Sequence, residues 1–375
     1  MYEAIDRYVD SLIRRSTPEQ TAWNIEKIRQ GKATDWNYID GCMMTALLNL
    51  AEVSRRRDYA DFVDRFISHF VEDNGTVRTF RGEKHCLDDI NEGRVLFPLY
   101  LTTGREKYKK AAAYLQGWLM QQPRTAEGSW WHKEIYPNQV WLDGIYMAQP
   151  FEALYQKTFG ERDYTDITRQ ILLVRDRMRD PETGLYFHGY DASRKAFWCD
   201  PATGRSRSFW LRAIGWFSVA LADLSEILPE GEDRRQITSV FVQLMEDMAR
   251  FRDPRSGMFW QVVDQGGRPG NYPESSGSAM IAYAMLKGAR LGVLPEKYRG
   301  IGKQVFDSIV QSCLTTTDDG DVCLGSICLV AGLGPEDNRR RDGTFEYYIS
   351  EPVVSNDAKG VAPFLLAYSE VIRPV

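Results

Sequence analysis

The sequence predicts an all-α fold: a single (α/α)6 barrel of six inner and six outer helices, with short β-hairpins in the loops at one end, spanning residues 1–375 as one domain. Three observations carry this. A short charged-then-tyrosine motif opens each of several amphipathic stretches, a glycine turn with an aromatic segment closes each stretch, and the helices that follow carry few charges. Length agrees, because 375 residues exceed the roughly 250–300 at which one hydrophobic core stops growing. A chain of this size divides into domains or is built by repetition. An open solenoid is the competing repeat architecture. Closure is preferred because the units are irregular and the loops between them long and aromatic.

The first helix lies at the N-terminus, where Tyr2, Ile5, Val9, Leu12 and Ile13 share one side of a stretch that also carries acids. That mixture is not a signal peptide. The entry motifs are Arg57-Asp58-Tyr59, Glu106-Lys107-Tyr108, Arg162-Asp163-Tyr164 and Glu296-Lys297-Tyr298. In the second, Tyr108, Ala111, Ala112, Leu115, Trp118 and Leu119 form the stripe of a half-buried helix. The closing turns are Asn74-Gly75, Glu127-Gly128, Thr183-Gly184 and Asp319-Gly320, and a copy without the tyrosine runs from Glu232 to Ser256-Gly257. Apolar aromatic runs beside these glycines, such as Leu185-Tyr186-Phe187-His188 and Met258-Phe259-Trp260-Gln261, predict short strands or hairpins. Each second helix opens on polar residues: Asp40-Gly41, Asp88 to Gly93, Asp143-Gly144, Arg212 to Gly215, Ser275 to Ser278, and Asn356-Asp357 to Gly360. Helices apolar nearly all round belong inside, and the charged set belongs outside.

Composition narrows the function. A net charge of −5 argues against a general nucleic-acid binder, which needs a basic face. No stretch approaches the roughly 18 apolar residues of a membrane span. The six cysteines are scattered without a CxxC pair and read as reduced and buried. The four histidines lack metal-ligand spacing, and HExxH, GxxxxGK[ST], GxGxxG and GxSxG motifs are missing, so no metal or cofactor is expected. A cytoplasmic enzyme, with a monomer as the default, is the expectation.

The chemistry should collect where the inner helices begin. Eight of the ten tryptophans (Trp36, Trp130, Trp131, Trp141, Trp198, Trp210, Trp216 and Trp260) and three of the four histidines (His85, His132 and His188) fall in or beside those loops. Aromatic faces next to carboxylates suit sugar rings, whose C–H faces stack while their hydroxyls need hydrogen bonds. Asp40, Asp88 and Asp143 each stand at an inner-helix start, where N-capping, worth ~1 kcal/mol, is the plain reading. A cap also fixes a side chain at the barrel mouth.

The string Trp131-His132-Lys133, Tyr136-Pro137, Gln139-Val140-Trp141-Leu142-Asp143-Gly144-Ile145-Tyr146-Met147 and Pro150-Phe151 resembles the hallmark of the unsaturated rhamnogalacturonyl hydrolases, glycoside hydrolase family 105. Leu87-Asp88 to Gly93, Gly184 to His188, Phe209 to Trp216 and Glu274 to Ser278 extend the match in order from about residue 36 onward. The resemblance implies an (α/α)6 barrel that removes a Δ4,5-unsaturated uronate, here galacturonyl on rhamnose, by hydrating the C4=C5 enol ether. It implies Asp143 as general acid/base, with Asp88 as a second acid that keeps Asp143 protonated or holds a hydroxyl. Tyr38, His132, Trp141, Met147, His188, Trp210, Arg212 and Trp216 would line the subsite, with Arg212 or His188 meeting the substrate carboxylate. Asp40 has no assigned role, and the 315–348 segment is a candidate wall for the aglycone. Three other readings stay open: an unsaturated glucuronyl hydrolase, an inverting glycosidase or epimerase on the same barrel, and a carbohydrate-binding repeat protein. An inverting pair needs carboxylates roughly 6.5–9.5 Å apart.

Overall fold

A computed structural model describes residues 2–317 and 320–374. Its helices in chain order are α1 (Tyr2–Arg14), α2 (Ile25–Gln30), α3 (Tyr38–Ser54), α4 (Arg57–Phe70), α5 (Leu96–Thr103), α6 (Glu106–Leu119), α7 (Leu142–Thr158), α8 (Thr165–Met178), α9 (Leu211–Ile227), α10 (Glu232–Ala249), α11 (Ser275–Arg290), α12 (Lys297–Cys313), α13 (Phe345–Ser350) and α14 (Ala358–Ile372). The inner ring runs α3, 87–103, α7, α9, α11, α14 and back to α3, each packed on the next, so the barrel is closed. α4, α6, α8, α10 and α12 lie outside it, and α1 completes the outer set against α14. Tyr8 donates to Asn356 Oδ1 at 2.6 Å, and Tyr368 donates to Asp6 Oδ1 at 3.1 Å.

The charge difference between the two helix sets has the expected consequence. On α10 only Ile237, Val240, Phe241, Leu244, Met245 and Met248 are buried, one stripe at three- and four-residue spacing. On α11 every residue from Ser275 to Ala289 is buried. One inner helix departs from the expectation. Leu87–Val95 is a 3-10 helix that turns into α5 only at Leu96. At three residues per turn its side chains stack in files, and one file is Asp88, Asn91 and Arg94 along the barrel interior.

The glycine turns are the most regular part of the repeat. Gly75, Gly128, Gly184 and Gly257 all have φ between 72° and 98°. A Cβ at each would strike the next outer helix: Lys110 on α6, Arg169 on α8, Asp247 on α10 and Ser308 on α12. These positions therefore need glycine both for the left-handed backbone and for the close approach. The strands expected beside them are mostly single bridges, Val71 with Val77, Arg124 with Trp130 and Arg179 with Tyr186. Asp319 of the last turn lies outside the described residues, while Gly320 has φ 83°.

The N-terminal rim is held by a second repeat, which periodicity alone does not show. The N–H that starts each of five inner helices donates to a carbonyl of a neighbouring loop. Leu87 bonds His132 at 3.1 Å, Leu142 bonds His188 at 3.1 Å, Leu211 bonds Gln261 at 3.0 Å, Ser275 bonds Ser326 at 2.9 Å and Ala358 bonds Trp23 at 2.9 Å. Orphan helix N–H groups are thereby satisfied by backbone. None of the three aspartates expected to cap does so. The residues capping α3, α11 and α14 are Asn37, Glu274 and Asp357, while α7 and the 87–95 helix have no side-chain cap at all.

Deeper in the barrel, charges from three inner helices meet. Asp223 accepts from Arg94 Nη2 at 2.6 Å, Lys287 Nζ at 2.8 Å and Tyr283 Oη at 2.7 Å, all buried. Burial would raise the Asp223 carboxyl, but the charges of Lys287 and Arg94 overcome it and bring it down to about 2. Breaking such a cluster leaves uncompensated buried cations. Asp223→Ala should therefore cost about 3–5 kcal/mol of stability, measured by urea denaturation.

Glu152 on α7 is the opposite case, a buried carboxyl whose Oε2 has no partner. Burial, and then the charge of Asp166, pushes it up to about 8. Between an unfolded value near 4.3 and that folded value, the native state binds the extra proton, so stability falls as pH rises. Glu152→Gln should stabilise the protein at pH 7 by roughly 1–3 kcal/mol and flatten the stability profile between about pH 5 and 8. Thermal denaturation across that range measures it.

Candidate active site

Two pieces of backbone pairing assemble the candidate site. Strand β1 (Gln139–Trp141) runs antiparallel to β2 (Gly189–Asp191), with Trp141 opposite Gly189. α7 begins directly after β1, and its second residue is Asp143. The residue before β2 is His188, so the pairing and the Leu142-to-His188 hydrogen bond set the two side chains face to face. His188 Nε2 lies 3.1 Å from Asp143 Oδ2, although not in hydrogen-bond alignment. Gly189 is required by crowding, since a Cβ there would sit 2.4 Å from Leu333 and 3.3 Å from Trp141.

The same device recurs one unit earlier. A bridge between Cys86 and Lys133, with the Leu87-to-His132 bond, sets Asp88 against His132 and Lys133. Asp88 Oδ1 lies 3.6 Å from His132 Nε2, and Asp88 Oδ2 lies 2.6 Å from Lys133 Nζ. The two Asp–His pairs are thus equivalent positions of one repeat. Both carboxylates keep a small solvent-facing area, 13% for Asp143 and 14% for Asp88, while the two imidazoles are closed off.

Electrostatics separates the two acids. Burial would raise the Asp88 carboxyl, but the positive charge of Lys133 outweighs it and holds Asp88 below the usual carboxylate range. Asp88 therefore does not stand as an unpaired negative charge, as its expected role of raising a neighbour would require. Burial lowers His132 to about 4, so its imidazole is neutral at physiological pH. Asp89, half-buried beside Asp88, is pushed up to about 6 by loss of solvation and then by the charge of Asp88.

Aromatic rings enclose the pair. His132 stacks on Trp141 at 4.4 Å, Tyr136 on Trp141 at 4.9 Å, and Trp141 meets His188 edge-on at 5.4 Å. Trp210 stacks with Tyr348 at 5.7 Å and lies 4.8 Å from His188. Six of the eight rim tryptophans are buried, and only Trp131 and Trp260 are partly open. Most of that rim caps the helical core rather than lining an open groove. Met147 and Trp216 are buried in the barrel as well, Trp216 stacked on Tyr146 at 4.5 Å.

Arg212 departs from its expected role. Its guanidinium is buried and engaged within the protein, by Ser276 Oγ at 2.8 Å, Glu274 Oε1 at 3.4 Å, and the carbonyls of Leu329 and Cys328. It braces the 325–330 segment and has no open face for a substrate carboxylate. Asp40, left unassigned by sequence, is fully buried and accepts from Trp23 Nε1 at 2.7 Å, Asn37 Nδ2 at 2.6 Å, and Asn24 and Thr21 at 3.3 Å. It fastens the 21–24 loop to α3 and is structural.

Sequence reasoning gave no role to Tyr348 or to Lys133. Tyr348 Oη is 2.7 Å from His188 Nδ1, and it belongs to the 315–348 segment. Its part from 332 to 348 closes one side of the site: Leu333 packs with Tyr136, Trp141 and Trp198, and Tyr347 Oη accepts from Gly332 N at 2.9 Å. Lys133 follows His132 directly, and that adjacency was the available signal. Tyr38, Asp88, Asp89 and Lys133 share a surface cavity of about 540 Å³. That is within the usual size range of ligand pockets.

The closed (α/α)6 barrel, with two Asp–His pairs and aromatic rings at its helix starts, belongs to a glycosidase class by comparison with known proteins. The family profile described as Glycosyl Hydrolase Family 88 matches residues 4–375. A solved glycoside hydrolase of family 105 from C. acetobutylicum ATCC 824 superposes with a TM-score of 0.90 at 38% identity, covering 98% of each chain. Protein Atu3128 of Agrobacterium fabrum is 40% identical over 229 residues, 60% of this chain and 97% of that one. The unsaturated rhamnogalacturonyl hydrolase YesR of Bacillus subtilis is 24% identical over 305 residues, 77% of each chain. The chain belongs to glycosyl hydrolase family 88, in the group shared with family 105, and is an unsaturated uronyl hydrolase by family. Among the described residues, no helix is long and apolar enough to cross a membrane.

If the Tyr348 hydroxyl orients His188, Tyr348→Phe should lower turnover about tenfold, the worth of one buried hydrogen bond, while the melting temperature shifts by only a few degrees. Steady-state kinetics beside a thermal melt checks this.

Proposed function

We propose that the protein removes a Δ4,5-unsaturated galacturonyl residue from lyase-derived rhamnogalacturonan disaccharides by hydrating the C4=C5 bond, with Asp143 as general acid and then base. The observation that carries the reading is the Asp143–His188 pair: a partly open carboxylate at the start of an inner helix, inside a ring of aromatic side chains. The name of the Bacillus subtilis relative supports the sugar.

In this reading the protonated Asp143 donates to C4, leaving positive charge shared between C5 and the ring oxygen. The Asp143 carboxylate then takes a proton from water as the water oxygen bonds to C5. The acid is regenerated; the hemiketal opens by breaking the C5–O5 bond to give a C5 ketone, and the hemiacetal left at C1 collapses to an aldehyde, its hydroxyl proton balancing the one taken up by the departing aglycone oxygen. The arriving uronate carboxylate favours the protonated form of a nearby acid, because like charges disfavour each other. In this mechanism the Tyr348 hydroxyl, 2.7 Å from Nδ1, donates to that nitrogen, which places the His188 proton on Nε2, toward the carboxylate that forms. The tautomer is set by the partner of the other nitrogen. Asp88, held ionised by Lys133, serves as a hydroxyl acceptor rather than a proton donor. Residues 1–375 act as one catalytic unit, in the cytoplasm, on imported oligosaccharides.

The conjugated C4=C5 uronate absorbs in the ultraviolet, and hydration destroys the chromophore. With unsaturated galacturonyl-rhamnose, absorbance should fall with wild type and persist with Asp143→Asn, the loss being at least the ~10²–10⁴-fold typical of general acid/base groups. Consumption of an unsaturated glucuronyl disaccharide instead would reassign the sugar. An unchanged chromophore across the whole panel would sink the hydration reading.

A further inference from the structure

In the two Asp–His units, the residue whose carbonyl receives the helix N–H is a histidine. One unit further on it is Gln261, and the second residue of the helix is Arg212 instead of an acid. Arg212 turns toward Ser276, Glu274 and the 328–329 carbonyls, so the two do not pair. The Gln261 backbone keeps the rim pattern: its carbonyl accepts from Leu211 N at 3.0 Å, and its N–H donates to Tyr272 O at 2.9 Å. The rim therefore makes no demand on the side chain, which is fully buried and bonded elsewhere. Gln261 Oε1 accepts from Trp210 Nε1 at 3.2 Å, and Gln261 Nε2 donates to the Tyr348 carbonyl at 3.2 Å. That carbonyl is an orphan of a helix end. Tyr348 lies in the short α13, and the residue four further on, whose N–H would serve it in a longer helix, is Pro352. An amide carries a donor and an acceptor at a fixed span, which is what bridging an indole N–H and a carbonyl needs.

What the bridge holds is the mount of His188. Trp210 and Tyr348 stack at 5.7 Å, and their rings lie 4.8 Å and 6.0 Å from the imidazole. Gln261 ties the indole nitrogen of one ring to the backbone that carries the other. The Tyr348 hydroxyl stands 2.7 Å from His188 Nδ1, at the far end of a long side chain. A slip of that backbone by about 0.5 Å would take the contact to the edge of hydrogen-bond range. We propose that Gln261 is a positioning residue for the hydration reaction: it holds α13 in register, so that the Tyr348 hydroxyl sets the tautomer of His188 opposite Asp143. Being wholly buried, Gln261 acts only through the two rings it bridges. The inference rests on the hydrolase reading and adds to it a residue that the sugar does not touch.

Two variants separate the bridge from the bulk of the side chain. Gln261→Met keeps the length and loses both bonds, whereas Gln261→Asn keeps the amide but is one methylene too short to span them. Each is compared with Tyr348→Phe and with the double variant Gln261→Met/Tyr348→Phe on unsaturated galacturonyl-rhamnose. Each single change should lower kcat about tenfold, the worth of one buried hydrogen bond, with little change in KM. Because both act on one contact, the double variant should also lose about tenfold and not about a hundredfold. A thermal melt confirms folding, and where Gln261→Met does not fold, Gln261→Asn carries the cycle. Nitrogen-15 NMR of histidine-labelled protein, with only four histidines to assign, reads the His188 tautomer without substrate. The proton should sit on Nε2 in wild type, and a population with the proton on Nδ1 should appear in the Gln261 variants. Additive losses, an unchanged kcat in a folded Gln261 variant, or a lower kcat with the His188 tautomer unchanged each overturn the proposal. If wild type leaves every unsaturated disaccharide intact, the hydrolase reading falls. The NMR then decides the coupling by itself, and an unchanged tautomer overturns that too.

Discussion

The backbone hydrogen bond from the first N–H of an inner helix to a carbonyl of a neighbouring loop is the constraint on which the rim depends. It occurs at five of the six inner helices, and it performs two tasks. It satisfies a donor that a helix start would otherwise leave orphaned. It also fixes the loop residue that supplies the carbonyl opposite the second residue of the helix. Where those two residues are histidine and aspartate, the result is an acid–imidazole pair, and this happens twice, at Asp88–His132 and Asp143–His188. The candidate site is thus a chemical use of an architectural position. Because the aspartates are relieved of capping, their oxygens stay available to a ligand.

The two pairs share one backbone arrangement and differ in their third partner. Asp88 has Lys133, whose charge fixes it as an anion, whereas the imidazole beside Asp143 is backed by a tyrosine hydroxyl. One backbone arrangement therefore serves two electrostatic settings: a cation beside Asp88, and a neutral hydroxyl behind the imidazole that faces Asp143. Neighbours one residue away in sequence, or far along the chain, create this difference without altering the fold.

The barrel was legible in the sequence because its signals are local. Tyr108 to Leu119 shows a helical stripe, and Gly75, Gly128, Gly184 and Gly257 mark turns that only glycine tolerates. Asp143 and His188 stand out in the sequence through their motifs, and the structure brings the two side chains together. What sequence could not show was contact across the chain. Arg212 looked like a substrate ligand, but Glu274 and the carbonyls of the 328–329 segment claim its guanidinium. Tyr348 gave no signal, since its importance lies in one bond to a residue 160 positions away. Asp40 looked like a cap, but three of its four donors, Thr21, Trp23 and Asn24, come from a loop that packs back from upstream, and the fourth is Asn37 at the start of its own helix. The 3-10 stretch at 87–95 has the polar opening of an ordinary helix, and nothing in its sequence marks the tighter winding.

The pairing of α1 with α14 has a kinetic side. The last inner helix finds its outer partner in the first helix of the chain, through contacts such as Asp6 with Tyr368, 362 residues apart. The ring cannot close until the end of the chain is in place, so a nascent chain carries an open row of helix pairs with apolar inner faces uncovered. Long-range closure of this kind is slow, and exposed apolar surface invites aggregation while it waits. The joint between the two ends is therefore where assembly is completed, and shielding of the unfinished ring by chaperones would count most just before α14 docks.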